Sequence, residues 1–213
     1  MMIKHTLIGA TALLLLAACS TPGPDYDVLA TQMMAGSFRA EGIATLDRLQ
    51  QDEANLACSR AQGAALPESL AATIQQAALK SVRMPADGRF FGDWREGEKL
   101  AQNGRGMTWT DKSAATSANG GNCYNCHQIS PAEISHGTIG PSLLRYGRNR
   151  GVTDLDSATA RPVVEYTWTK LWNTKAYNAC SGMPRFGHAG LLDEMQLKHL
   201  MALLLDPRSP VNQ

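Results

Sequence analysis

The chain has 213 residues, with 20 Lys and Arg against 19 Asp and Glu for a formal net charge of +1. Such a balance offers no electrostatic footprint for a polyanion, so no nucleic-acid partner is expected. The length suits one domain, or a small domain with an extension, and the 5 cysteines are few enough to assign one by one.

At the N-terminus, Lys4 precedes an apolar run from Leu7 to Ala18 that is too short to span a bilayer and has the shape of a secretory signal. It ends in Leu16-Ala17-Ala18-Cys19, which resembles the bacterial lipobox. Residues 1–18 are therefore expected to be removed and Cys19 to be lipidated. Acylation of both thiol and amine would be needed, because a single chain anchors only marginally. The alternative is an ordinary secretory signal cut nearby, with Cys19 incidental. Either route exports the chain, and loss of Lys4 equalises its charges. No second apolar run is long enough to span a membrane.

Residues 19–40, with Thr21-Pro-Gly-Pro-Asp25, read as a tether between membrane and body. Residues 41–90 read as an N-terminal helical extension with helices over Glu41–Cys58 and Pro67–Val82. In the second, Leu70, Ile74, Ala77, Ala78 and Val82 recur at helical spacing behind a Pro67-Glu68 first turn. The main domain is expected over 91–213. Its first helix, Asp93–Ala101, places Trp94, Gly97, Leu100 and Ala101 on one face, and Gly97 allows close approach of another helix.

Cys123-Tyr-Asn-Cys126-His127 follows. Two thiols at this spacing, with His directly after, form the attachment site of a c-type haem: both sulfurs add across the porphyrin vinyl groups and hold the imidazole against the iron. A zinc site would need two more ligands at compatible spacing, and Cys58 and Cys180 are scattered. A thioredoxin-like pair would open a helix after a strand, but Gly120-Gly121-Asn122 follows no β-branched run. One covalently attached haem c, with His127 as an axial ligand, is the expectation.

A six-coordinate electron carrier needs a second axial ligand. Met183, in Ser181-Gly-Met-Pro-Arg-Phe-Gly187, is the best candidate: its thioether is a soft donor favouring ferrous iron, and Pro184 stiffens the loop. His188 is an alternative nearby, whereas His136 lies too close to His127 and His199 falls on the polar side of the last helix; Met107 reads as a loop methionine. Trp168, Trp172, Tyr166 and Tyr177 are expected to cluster as flat walls for the macrocycle. The last helix, Asp193–Leu205, has Leu197, Leu200, Met201 and Leu204 on one face and a capping box from Asp193 and Gln196. With Cys19 on lipid and Cys123 and Cys126 on haem, Cys58 and Cys180 remain for a disulfide in an oxidising compartment, two separate buried thiols being the alternative. Such a disulfide would tie the Met183 loop to the extension.

One helix before the haem motif and one at the C-terminus resemble the bracket of class I cytochromes c. The expected fold is all-α, a class I cytochrome c-like domain carrying a helical extension. In that class a Gly-Pro pair lies beside the proximal imidazole. The resemblance implies that the Pro141 carbonyl in Gly140-Pro141-Ser142-Leu143 accepts the imidazole N–H; a rigid turn is the plainer reading of those residues.

Pro85-Ala-Asp-Gly88, Gly92-Asp-Trp-Arg-Glu-Gly-Glu98, Gly120-Gly-Asn-Cys-Tyr-Asn-Cys-His-Gln128, Gly137-Thr-Ile-Gly-Pro-Ser142 and Tyr177-Asn-Ala-Cys-Ser-Gly-Met-Pro-Arg-Phe-Gly-His188 together resemble the sulfur-oxidation cytochrome family SoxX. The resemblance covers nearly all of the chain beyond the tether. It implies a complex with a SoxA-type cytochrome subunit that oxidatively conjugates thiosulfate to a cysteine of the SoxYZ carrier, as an L-cysteine S-thiosulfotransferase. It further implies haem on Cys123 and Cys126, His127 and Met183 on the iron, and a soluble cytochrome c as electron acceptor. This chain would be the subunit that passes electrons without binding substrate. The competing expectation is a general periplasmic mono-haem carrier unconnected with sulfur. The lipobox departs from the soluble members of that family. Ser20, in place of the aspartate of inner-membrane retention, suits outer-membrane anchorage facing the periplasm.

Overall fold

The computed structural model describes residues 23–213, so the signal segment and Cys19 lie outside the described residues. The fold is all-α: six α-helices joined by short 3-10 turns, with no strand among the described residues and a single isolated bridge between Glu41 and Ala44. The chain divides into two units, Met1–Arg39 and Ala40–Gln213.

In the first unit, helix α1 (Tyr26–Ser37) occupies much of the segment read as tether. Asp25 starts it by accepting the N–H groups of Asp27 and Val28, and none of its residues is buried. The prolines before it do not prevent a helix because they precede the cap.

The second unit opens differently from the expected Glu41–Cys58 helix. Gly42 has φ +54°, and a Cβ there would run into the Trp109 carbonyl oxygen. Arg48 donates to the carbonyls of Met107 and Ile43. These contacts with a distant loop override helix propensity. The segment becomes a turn, a 3-10 turn at Leu46–Leu49, and a short helix α2 (Glu53–Arg60) capped by Asp52. Helix α3 (Glu68–Lys80) lies within its expected span.

Helix α4 (Trp94–Gln102) is capped by Asp93, helix α5 (Arg161–Trp172) starts with Pro162, and helix α6 (Glu194–Leu205) begins with the Asp193–Gln196 capping box. The most extensive helix pairing is α4 on α6. Gly97 makes it possible, because a Cβ there would meet the His199 carbonyl and the Leu203 side chain. Helix α6 is more central than one apolar stripe suggests: Leu197, Leu200, Met201, Ala202, Leu203, Leu204 and Leu205 are all buried. His199 is half-buried and accepts the Asp93 N–H at Nδ1, 2.8 Å away, which corrects its placement on a polar face.

The extension packs through the indoles of α5. Trp168 Nε1 donates to the Arg83 carbonyl at 2.8 Å and Trp172 Nε1 to the Ser81 carbonyl at 3.0 Å. Each buried indole N–H thereby finds its partner just after α3. Residues 40–213 form one contact unit with no division near residue 91.

Candidate functional site

The Cys123 turn is built on the end of α4. Gly121 N–H donates to the Leu100 carbonyl at 2.8 Å and Asn122 N–H to the Asn103 carbonyl at 3.0 Å. Asn122 is left-handed, and the chain then enters the 3-10 turn Cys123–Asn125. The Cys123 carbonyl accepts both the Cys126 N–H, at 3.1 Å, and the His127 N–H, at 2.9 Å. One turn therefore carries Cys123, Cys126 and His127 at i, i+3 and i+4, the spacing that puts side chains on one side. Tyr124 points the other way, buried, its hydroxyl donating to Glu98 of α4 at 2.8 Å.

Cys123 and Cys126 are free thiols, each half-buried. Burial, followed by the neighbouring Cys126, pushes the Cys123 thiol up to about 12. A redox-active or nucleophilic cysteine needs the opposite shift, so this thiol is poorly suited to thiolate chemistry at neutral pH. Among the described residues no group of three or more His, Cys, Asp or Glu side chains is placed to share a metal ion, so nothing of that kind joins the pair in a tetrahedral zinc site.

A second loop closes over the imidazole. Gly137 N–H donates to the Tyr124 carbonyl at 2.8 Å, Gly140 N–H to the Cys126 carbonyl at 2.8 Å, and Leu143 N–H to the Gln128 carbonyl at 2.7 Å. His127 Nδ1 lies 2.7 Å from the Pro141 carbonyl oxygen. A carbonyl can only accept, so Nδ1 is the donor in this contact, and Nε2 is the nitrogen that offers a lone pair in the corresponding neutral tautomer. Gly140 permits this approach: a Cβ there would overlap the His127 ring. A Cβ on Gly137 would likewise meet the Asn125 carbonyl.

The third element is the segment after α5. Thr174, fully buried, donates from Oγ1 to the Met183 carbonyl at 3.0 Å, and Lys175 Nζ donates to the Ala179 carbonyl at 2.8 Å. Cys58 and Cys180 form a disulfide, joining α2 to this segment. Met183, Cys123 and Leu143 are half-buried and pack on the rim of the same hydrophobic core.

The structure thus brings His127 and Pro141 into contact, places the two thiols on the His127 turn, and sets Met183 at the core rim in a separate loop. His188 is exposed, its N–H held by the Trp172 carbonyl at 3.0 Å; burial of its ring and the Arg185 charge lower its pKa. His136 is half-buried, and Met107 sits in a loop with φ 62°. The four aromatics separate into two pairs instead of one cluster. Trp168 stacks on Trp172 beside Phe90, facing the extension, while Tyr166 and Tyr177 pair at 4.6 Å on the exposed side. Thr174 carries no sequence signal of its own, and Gly137 and Gly140 enter only as part of the Gly137-Thr-Ile-Gly-Pro-Ser142 motif, with no part in holding the ring expected of Gly137.

A covalently held haem would fit these residues. The imidazole has one ring nitrogen held by the Pro141 carbonyl, the glycine cradle leaves no Cβ beside the ring, and both thiols are unpaired and half-buried on the same turn.

No protein-family model matches the chain. It is 36% identical over 137 residues to an uncharacterized lipoprotein of Aquifex aeolicus (strain VF5), a match covering 62% of this chain and 59% of that protein.

Proposed function

We infer that this protein is an exported, lipid-anchored c-type cytochrome with a class I-like haem domain, serving as the electron-transfer subunit of a thiosulfate-oxidising complex of the SoxAX kind. The observation that carries the haem reading is the His127–Pro141 contact at 2.7 Å on the turn that holds Cys123 and Cys126. The SoxX resemblance supports the sulfur-oxidation part. Lipidation of Cys19 is supported by the lipobox and by the name of the Aquifex relative.

Haem c, when bound, supplies a one-electron iron centre. Cys123 and Cys126 would hold it covalently, and His127 Nε2 and the Met183 thioether would ligate its iron. The Pro141 carbonyl keeps the imidazole proton on Nδ1 and orients the ring, raising its donor strength. Met183 favours the reduced state. With His127 and Met183 both on the iron, this chain would offer thiosulfate no metal site, and with Cys123 and Cys126 committed to haem and Cys58 paired with Cys180, the described residues would leave no cysteine to act as nucleophile. Joining two sulfur atoms releases two electrons. In the proposed division of labour the SoxA-type subunit forms the bond on SoxYZ, and this subunit delivers the electrons singly to a soluble cytochrome c.

The test is intact-mass and visible spectroscopy of the native protein, followed by reduction with thiosulfate in the presence of SoxYZ, with and without a SoxA-type subunit. One haem, a diacylglycerol adduct, and reduction that requires the partner are expected. Colourless protein overturns the haem reading. Haem-loaded protein indifferent to that subunit overturns the sulfur reading and leaves a general periplasmic carrier.

A further inference from the structure

Helix α2 buries none of its residues, yet it grips the Met183 loop at both ends. Near its C-terminal end, Cys58 is bonded to Cys180. At its N-terminus, Asp52 Oδ2 lies 2.6 Å from Arg185 Nη2, the arginine side chain being only 22% exposed. Met183 stands between these two anchored positions.

The Asp52 carboxylate is fixed by using its oxygens separately. Oδ1 caps α2 by accepting the Asn55 N–H at 2.8 Å, and Oδ2 holds Arg185. It also compensates a second cation, because the buried Lys175 ammonium feels both Arg185 and Asp52. From the core side the loop is held by Thr174 on the Met183 carbonyl and by Lys175 on the Ala179 carbonyl. Thr174 and Lys175 thus fix the loop backbone, and α2 fixes the loop at two further points. A short loop pinned at both ends has few excursions open to it, whereas release of one end multiplies them.

We propose that Asp52 and Arg185 are positioning residues for the axial thioether: their ion pair, with the Cys58–Cys180 disulfide, makes α2 a two-point clasp that keeps Met183 on the iron. This rests on the haem reading above. The disulfide is the permanent point of the clasp and the ion pair the exchangeable one. An ordinary exposed ion pair would contribute little. This one is exposed on one side only, Asp52 at 42% against 22% for Arg185, and the arginine is next but one to the ligand.

The test uses the full-length ferric protein with its haem attached. Asp52→Asn is the informative variant, since asparagine caps a helix as well as aspartate but carries no charge. Arg185→Gln removes the other partner. Arg185→Lys keeps the charge without the planar fork and should fall between Arg185→Gln and the wild type. The readouts are the rate at which imidazole displaces Met183, the thioether-to-iron charge-transfer band, and the reduction potential. Asp52→Asn and Arg185→Gln are expected to speed displacement about three- to tenfold and to lower the potential, the range that up to about one pKa-unit equivalent of lost interaction gives. Asp52→Asn combined with Cys58→Ser should exceed either alone. Wild-type displacement rate and potential in Asp52→Asn, with the band intact, overturn the proposal while leaving the haem reading standing. Absence of the band from the wild type sinks the haem reading first. If Arg185→Gln does not fold, Asp52→Asn decides.

Discussion

The chemistry of the site depends on a single proton being on one nitrogen. His127 Nδ1 faces a carbonyl oxygen at 2.7 Å, and that contact exists because residue 140 has no Cβ. Gly140→Ala should force the ring or the loop aside, at a cost of about 1–3 kcal/mol for overpacking. Thermal unfolding of the holoprotein would read the loss, and an altered imidazole ligation spectrum would locate it. Met183→Ala should abolish the thioether charge-transfer band and lower the potential, a fall of about 100 mV corresponding to about 2.3 kcal/mol for one electron. An unaltered spectrum and potential would remove Met183 from the iron. The residue types at these positions are legible from spacing alone. The glycine cradle and the Thr174 bond to the Met183 carbonyl are not, because each joins atoms from different loops, and the Pro141 carbonyl contact is expected only through the family resemblance.

Helices α4 and α6 behave as their patterns require, for a local reason. Each starts on an aspartate that caps it, and Gly97 and the leucines of α6 sit on faces that must meet. Gly97→Ala should destabilise the protein by about 1–3 kcal/mol, since its methyl would enter the α6 backbone. A denaturant midpoint unchanged by that substitution would mean the helices cross elsewhere. Helices α1 and α2 departed from expectation in opposite senses. Residues 26–37 carry a cap and no breaker before Gly36 in the last turn, so they form a helix despite the Pro-rich lead-in. Residues 41–51 carry reasonable helix formers, but Gly42 is drawn against the Trp109 carbonyl and Arg48 against Met107, contacts worth more than propensity. The tryptophans illustrate the same limit: their indole donors turn to the carbonyls of Arg83 and Ser81, which lie far away in sequence.

Over the molecule, the Cys58–Cys180 disulfide spans a sequence separation of 122 residues. Removing it by Cys58→Ser with Cys180→Ser should cost about 2–5 kcal/mol, the upper end being what loop-closure entropy gives for a loop this long, seen in denaturant unfolding of the oxidised protein. The same change should weaken Met183 ligation in the ferric state; unchanged ligand exchange would refute that coupling. Cys19→Ser should release the protein from the membrane fraction and remove the lipid mass. The pairing of Cys58 with Cys180 was readable without coordinates, because the sequence motifs claimed the other three cysteines and left these two over in an exported chain. The arrangement of the parts was not. Which cation meets Asp52 and which way the tryptophans face follow from packing between segments distant in the chain, where close-packed interiors choose partners that no local pattern encodes.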